Sequence, residues 1–143
     1  MSAQAGLGTG LEAGDPGDGD LEWQRARTRI VLGADFGGDE DLENTFGVGG
    51  YIDLEERGGL GVYARYSRWL TPSSLGLNIQ GIAAITPNTL VGIGAGATFV
   101  IPFGERVGLF LEPTVAILPV GSDLPGDSPI TWILFSAGVR LGL

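Results

Sequence analysis

The sequence contains no cysteine, no histidine and no lysine. The absence of cysteine excludes a disulfide framework and thiol chemistry. The absence of histidine removes the commonest general base, so catalysis is disfavoured and we predict a protein that is not an enzyme and needs no cofactor. All 8 basic residues are arginines, against 17 acidic residues. The net charge of −9 argues against a nucleic-acid partner, which would require a basic face.

Long hydrophobic runs are also absent, and no window of eighteen apolar residues predicts a transmembrane helix. Glycine is abundant, with 26 residues, but there is no strict triplet period, and apolar residues make up 43% of the chain. Those two facts exclude a collagen-like repeat and argue against disorder. The length of 143 residues corresponds to a single domain, residues 1–143.

The stretch from Leu90 to Ile117 shows the clearest pattern in the chain. Every second residue from Val91 to Phe103 is apolar, and most residues between them are small. The alternation resumes after Gly104 and continues to Ile117. A period of two is typical of β-strands, because successive side chains point to opposite faces. This stretch therefore predicts a β-hairpin with one apolar face and one face of mostly small residues.

Eight segments carry the same alternation, at about residues 5–13, 21–36, 46–55, 60–69, 75–85, 90–103, 107–118 and 130–143. Short links join them consecutively, which predicts an antiparallel meander, and eight strands are enough to close a barrel. Their lengths suit tilted strands that cross a bilayer. Arg68, near a strand end, is the only charge on the eight apolar faces. The predicted fold is all-β, an eight-stranded antiparallel up-and-down transmembrane β-barrel with its apolar face toward lipid.

Three phenylalanines, Phe36, Phe46 and Phe103, fall at the same end of their strands. In a meander with both termini on one side, this end would be the periplasmic one. Such a group is what an aromatic girdle at the lipid interface requires, and we predict that role for it.

The opposite strand faces contain polar residues that a barrel would enclose. The predicted lumen cluster is Arg25, Arg27, Arg29, Asp53, Glu55, Arg65, Gln80 and Glu112. Strand pairing is expected to bring Arg29 near Asp53 and Arg27 near Glu55. Because an unpaired buried charge is costly, these residues are expected to form ion pairs. Two interpretations remain open: a salt-bridged plug that fills the barrel, or a narrow pore in which glycines such as Gly47 and Gly49 leave space.

The meander, the alternation and the ending Gly138-Val139-Arg140-Leu141-Gly142-Leu143 resemble the small eight-stranded outer-membrane barrels of the OmpA/OmpX type. The resemblance implies the outer membrane of a Gram-negative-type cell envelope, with membrane lipid and the barrel-assembly machinery as partners. It also implies export. Because no signal peptide is recognisable before Ala3-Gln4-Ala5, we expect that one has been removed from the sequence. Within this family functions vary, so the likeness concerns fold and location.

The predicted function is a non-enzymatic outer-membrane barrel with a structural or surface-interaction role, or a narrow passive pore. One alternative is a soluble lipocalin-like barrel that binds a hydrophobic ligand, because alternation alone does not show which face meets water. Another is a subunit of an oligomeric or filamentous assembly with its apolar faces buried between copies. The acidic loops at Asp15–Asp20 and Asp123–Asp127 could offer oxygen ligands to Ca²⁺, although solvated turns explain them as well, and no metal site is predicted. Pro113 interrupts an apolar strand face, where we expect a β-bulge.

Overall fold

The computed structural model describes residues 1–14, 20, 22–37, 43–55, 58–71, 74–122, 124 and 128–142. Within these ranges lie the β-strands β1 (Ser2–Gly14), β2 (Glu22–Gly37), β3 (Asn44–Asp53), β4 (Leu60–Thr71), β5 (Leu75–Thr86), β6 (Leu90–Pro102), β7 (Val107–Gly121) and β8 (Ile130–Gly142). Among the described residues, no helix has the length and apolarity to cross a membrane.

Each strand pairs antiparallel with the next, and β1 also pairs with β8, from Ser2 opposite Gly142 to Ala13 opposite Thr131. This last pairing closes the sheet, so that each of the described strands has a partner on both sides. The predicted eight-stranded antiparallel up-and-down β-barrel is confirmed. We call the end with Ser2 and Gly142 the terminal end, and the opposite end the distal end.

The alternation in the sequence becomes an outer and an inner wall. Large apolar side chains are exposed on the outer wall of all eight strands. The inner wall contains glycine, a cluster of apolar residues, and the buried charges Arg29, Asp35, Asp53, Arg65 and Glu112. The barrel therefore encloses most of the charged side chains of its strands and exposes its apolar face. This arrangement is the reverse of that in a soluble β-barrel.

One irregularity changes the inward face of β2. Gly8 lies opposite Arg29, but Gly10 lies opposite Ala26, so two residues of β1 span three residues of β2. This extra residue is a β-bulge. Toward the terminal end of β2 the odd-numbered residues face inward, whereas beyond the bulge Ala26 is the buried residue and Arg25 is exposed. The bulge thus turns Arg25 out of the lumen.

The prediction of a β-bulge at Pro113 is wrong. Pro113 lies opposite Phe135 in a pairing with β8 that keeps one register along its whole length. On the β6 side the register is the same before and after Pro113. The irregularity in this pair of strands lies instead between Val91 and Ile93, opposite the segment that contains Pro119. A proline removes one ladder hydrogen bond, and that loss does not require an additional residue.

The observed strand limits differ from the predicted ones by a few residues. β1 begins at Ser2 rather than at residue 5, because its first residues pair with both β2 and β8. β3 ends at Asp53, which leaves Glu55 outside the strand. Leu21 and Leu143, predicted as strand ends, lie outside the described residues.

Candidate functional site

Arg65 of β4 lies at the centre of the lumen and is buried. Its Nε and Nη2 donate to the two carboxylate oxygens of Asp35, over 2.9 and 2.7 Å. Nη1 donates to Glu112 Oε2 over 2.6 Å, and Nη2 also donates to Gln4 Oε1 over 2.8 Å. The planar guanidinium has a fixed fork of donors, and here the fork joins four strands, β1, β2, β4 and β7.

Further side chains extend these contacts. Arg140 Nη2 lies 3.2 Å from Asp35 Oδ2, and the Arg140 guanidinium lies 4.6 Å from the centre of the Trp69 ring. Thr98 donates to Glu112 Oε2 over 2.8 Å. Asn78 Nδ2 in turn donates to Thr98 Oγ1 over 3.1 Å. We call this group, which consists of Gln4, Asp35, Arg65, Asn78, Thr98, Glu112 and Arg140, the central network. Its two arginines balance its two carboxylates.

Glycines on the inner wall provide the room that this network occupies. A Cβ at Gly47 would collide with the Asp35 carboxylate and with the Arg65 side chain. A Cβ at Gly49 or Gly33 would collide with the Tyr63 ring or hydroxyl. Gly47 and Gly49 therefore do not leave an open pore, because large side chains from other strands lie directly against them.

A second polar group lies nearer the distal end. Arg29 Nε is 3.3 Å from Asp53 Oδ1, and the Arg29 guanidinium lies 4.3 Å from the centre of the Tyr51 ring and 4.7 Å from that of the Trp132 ring. The two aromatic faces thus stabilise a buried cation. Trp132 Nε1 donates to Glu12 Oε2 over 2.6 Å. We call Arg29, Tyr51, Asp53, Trp132 and Glu12 the distal cluster.

Apolar side chains fill much of the lumen around and beyond the distal cluster. They include Ala26, Val31, Ile82, Ala84, Leu90, Ala116, Leu118, Ile130 and Leu134. A void of about 40 Å³ remains beside Arg29, Gln80 and Glu112. Such a volume has room for only a few water molecules. At the terminal end, a larger cavity of about 380 Å³ opens beside Asp35, Trp69 and Arg140. Among the described residues the lumen is therefore open at the terminal end and filled beyond the central network.

The predicted lumen residues do not form a single cluster. Arg65 and Glu112 belong to the central network, Arg29 and Asp53 belong to the distal cluster, and Gln80 is half-buried beside the void between them. Arg27 is partly exposed and lies 3.9 Å from Asp53, rather than forming an ion pair with Glu55 as expected. Glu55 is exposed beyond the end of β3.

Arg25 lies outside the lumen cluster. It is exposed and donates to Thr28 Oγ1 over 3.0 Å, on the distal side of the β2 bulge. The simple alternation placed it beside Arg27 and Arg29, but the additional residue changes its direction.

Asp35 is the main residue that the predicted cluster omitted. It accepts hydrogen bonds from Arg65 and lies within ion-pair distance of Arg140. The alternation of β2 placed it on the same face as Arg29, so the sequence contained the information needed to find it. Gln4 and Thr98 are uncharged, and their role became visible only when the strands were brought together.

The three predicted interface aromatics are all exposed at the terminal end, Phe36 and Phe46 on the outer wall and Phe103 just beyond the end of β6. Phe36 lies opposite Phe46 in the β2–β3 pairing. The Phe46 ring centre is 5.2 Å from that of Tyr66. Two members of the predicted girdle are thus neighbours across one strand pair, and one of them packs against Tyr66, which the prediction did not include.

No metal site is found among the described residues, where no group of three or more suitable ligands occurs. Most of the acidic residues named as possible Ca²⁺ ligands, including Asp15, Asp18, Asp123 and Asp127, lie outside the described residues.

Comparison with known proteins relates this geometry to a fold. No protein-family model matches the chain, and a search of curated proteins finds no match. Among solved structures, the chain is similar to Neisserial surface protein A (NspA), with a TM-score of 0.61 and 12% identity over 99% of this chain and 96% of that one. It is also similar to Ail, the attachment invasion locus protein of Yersinia pestis, with a TM-score of 0.52 and 12% identity over 97% of each chain. The fold is that of the small eight-stranded outer-membrane β-barrels, in agreement with the OmpA/OmpX-like resemblance.

Proposed function

We propose that this protein is an integral outer-membrane β-barrel without enzymatic activity, with a structural or surface-interaction role. The observation that carries the proposal is the closed barrel whose outer wall exposes large apolar side chains while ion pairs lie inside. In water, an apolar surface of this extent would be strongly unfavourable. In a bilayer the same surface contacts hydrocarbon, and the closed sheet satisfies its own backbone groups.

The distribution of charge argues against the lipocalin-like alternative. A soluble barrel that carries a hydrophobic ligand has an apolar interior and a polar exterior. Here the lumen holds the buried charges Arg29, Asp35, Asp53, Arg65 and Glu112. Around and beyond the distal cluster, apolar side chains leave a void of only about 40 Å³, so a hydrophobic ligand has no room there. The larger cavity at the terminal end is bordered by the charged residues Asp35 and Arg140, which do not suit a hydrophobic ligand.

The packing of the lumen also favours the salt-bridged plug over the narrow pore. Arg65 connects strands on different sides of the lumen, with direct contacts to Asp35 and Glu112. A solute would have to separate these buried pairs and leave charges unpaired, which is costly. Apolar side chains block the route toward the distal end as well.

A surface role is supported by analogy with the similar structures. The names of those two proteins describe a surface protein and an attachment invasion locus protein. Fold likeness by itself does not transfer an activity, so the analogy supports the location and a non-enzymatic role only in general terms. The further parts of the proposal are export with removal of a signal peptide, a Gram-negative-type envelope, and insertion by the barrel-assembly machinery.

The test is whether the chain needs detergent to stay in solution and whether its gel mobility changes on boiling. We expect insoluble material in plain buffer, and a detergent-refolded form that migrates differently before and after heating. A monodisperse protein in plain buffer would contradict the proposal and would favour the soluble or assembled alternatives.

The plug and the pore are then separated by conductance across a planar bilayer. We expect the refolded wild-type protein to show no steady conductance. Glu112→Gln should behave in the same way, because the amide oxygen of the new side chain can still accept a hydrogen bond from Arg65. Regular conductance steps from the wild-type protein would instead establish the passive pore.

A further inference from the structure

A shallow groove interrupts the outer wall across β3 to β7. Its volume is about 820 Å³, and it is lined mainly by apolar groups. Three small outward-facing residues, Ala64, Gly81 and Ala95, form its floor, and a Cβ at Gly81 would meet no atom within 4 Å. Larger side chains border it, namely Phe46, Val48, Tyr66, Ile79, Ile93 and Ile117. The outer wall is therefore not uniformly filled, and this part can accept an additional apolar group.

The groove lies near the middle of the wall. Ala64 is opposite Gly81, close to the centres of β4 and β5. Arg68 is opposite Leu77, four residues nearer the terminal end on both strands. Four residues span about 13 Å along a strand, or about 10 Å in depth at the usual strand tilt. Half the hydrocarbon thickness is about 15 Å, so a groove near the bilayer centre places Arg68 close to the polar boundary.

Hydrogen-bond donors and an aromatic pair lie on the outer wall between the groove and the terminal end. Arg68 is exposed and is opposite Asn44 in the β3–β4 pairing. The Tyr66 hydroxyl donates to Asn44 Oδ1 over 2.7 Å, so the amide nitrogen of Asn44 is a second donor beside the guanidinium. Above them, the Tyr66 ring contacts Phe46. From the terminal end upward, the order is donors, aromatic rings and apolar groove.

We propose that this surface binds one anionic phospholipid of the periplasmic leaflet. Its phosphate would contact Arg68 and Asn44, its glycerol region would lie beside Tyr66 and Phe46, and one acyl chain would occupy the groove over Gly81. The proposal rests on the membrane location proposed above. It extends that location to a specific lipid class, because a guanidinium favours an anionic oxygen acceptor.

A second copy of the chain is a weaker candidate for the groove. Two copies related by a two-fold axis along the membrane normal would present the same surface to each other. Such a contact places both copies of Arg68 at the same depth and near the shared interface. Their like charges would repel each other in a medium that screens poorly. A negatively charged headgroup offsets the Arg68 charge instead.

Native mass spectrometry of the detergent-refolded protein tests the site. The probes are phosphatidylglycerol and phosphatidylethanolamine with identical acyl chains, added at equal concentrations. We expect one phosphatidylglycerol to bind about tenfold more tightly than phosphatidylethanolamine, which is the effect of one charge-assisted contact. Arg68→Gln removes the charge and should abolish most of this preference, whereas Gly81→Leu fills the groove and should weaken the binding of both lipids about tenfold.

Two matched variants serve as controls. Ala137→Leu adds the same side chain to an exposed position on β8, away from the groove, and Arg106→Gln removes an exposed arginine in a turn at the terminal end. Both should retain the wild-type affinity and the wild-type preference. Equal binding of the two lipids to the wild type, or equal losses in test and control variants, would overturn the lipid site. A dimer mass that Gly81→Leu removes would assign the groove to a second copy and overturn it as well.

Gel mobility before and after heating distinguishes this failure from failure of the proposed function. A barrel that refolds and shifts normally but shows no lipid preference refutes only the lipid site. A wild-type chain that forms no detergent-stable barrel refutes both proposals.

Discussion

Arg65 shows how one residue can organise a closed lumen. It is buried, and its guanidinium contacts two carboxylates and one amide oxygen on three other strands. Each carboxylate would be costly in this position without a cation. Through these contacts Arg65 neutralises both carboxylates and connects β2 with β7 across the lumen.

Substitution of Arg65 by methionine tests this dependence. Arg65→Met keeps much of the side-chain length but leaves Glu112 and part of the Asp35 carboxylate without their main partner. We expect the free energy of unfolding in detergent to fall by about 3–5 kcal/mol, as measured by urea titration. Arg106→Gln, at an exposed turn, should change it by no more than about 0.5 kcal/mol. Equal stability of the two variants would show that the buried network contributes little.

Gly47 illustrates a residue whose absent side chain matters. Its Cα lies so close to the Asp35–Arg65 pair that a methyl group would displace both side chains. Gly81, by contrast, faces open space on the outer wall. We expect Gly47→Ala to cost about 1–3 kcal/mol of unfolding free energy, the range for overpacking a filled interior. Gly81→Ala should be close to neutral in the same titration, and a neutral Gly47→Ala would contradict the close packing of the lumen.

At the scale of the strand, the bulge in β2 decides which residues face inward. Between Ala26 and Arg29 the strand contains one residue more than β1 opposite it. A single additional residue reverses the alternation, because the side-chain period is two. The bulge therefore places the small Ala26 in the crowded lumen and leaves Arg25 exposed.

Cysteine labelling tests this reversal, since the chain has no cysteine of its own. We expect Arg25→Cys to react rapidly with a maleimide in the detergent-refolded protein, and Ala26→Cys to be protected by at least about tenfold, because the Ala26 side chain is buried. Both variants should react fully after denaturation. Protection of the Arg25→Cys variant, together with rapid reaction of the Ala26→Cys variant, would mean that β2 continues without a bulge.

On the scale of the whole molecule, the barrel separates two environments. The central network is neutral by itself, and the outer wall presents apolar side chains around the full circumference. Such a molecule is suited to a medium that solvates hydrocarbon and excludes unpaired charge. The apolar exterior, rather than any particular polar residue, therefore carries the membrane assignment.

Two valines on the outer wall of β7 provide a matched test of that assignment. Val115 is 51% exposed near the middle of the strand, and Val120 is 63% exposed near its distal end. In a bilayer, Val115→Arg should reduce the unfolding free energy by about 2–4 kcal/mol, and Val120→Arg by no more than about 1 kcal/mol. The measurement is reversible unfolding from lipid vesicles. Equal, small costs at both positions would show that the outer wall is not surrounded by hydrocarbon.

Much of the fold was predictable because its determinants are local. Alternation follows from the geometry of an extended backbone, and short polar links between alternating segments give a meander. Eight strands, their antiparallel order and the greater part of both faces could therefore be derived from the residues themselves. Even the missing Asp35 lay on the predicted inward face of β2.

The sequence by itself thus determined eight antiparallel strands, each with one apolar face and one face of polar or small residues, but alternation alone left open which face points outward. Only the tertiary structure decided that the apolar face points outward, that Arg65 meets Glu112, 47 residues away, and that the polar groups form two clusters. It also decided that the lumen is filled beyond the central network. The physical reason is that contacts across a lumen depend on the stagger of all eight strands at closure and on bulges such as that in β2. Neither quantity is encoded in the alternation of any single strand.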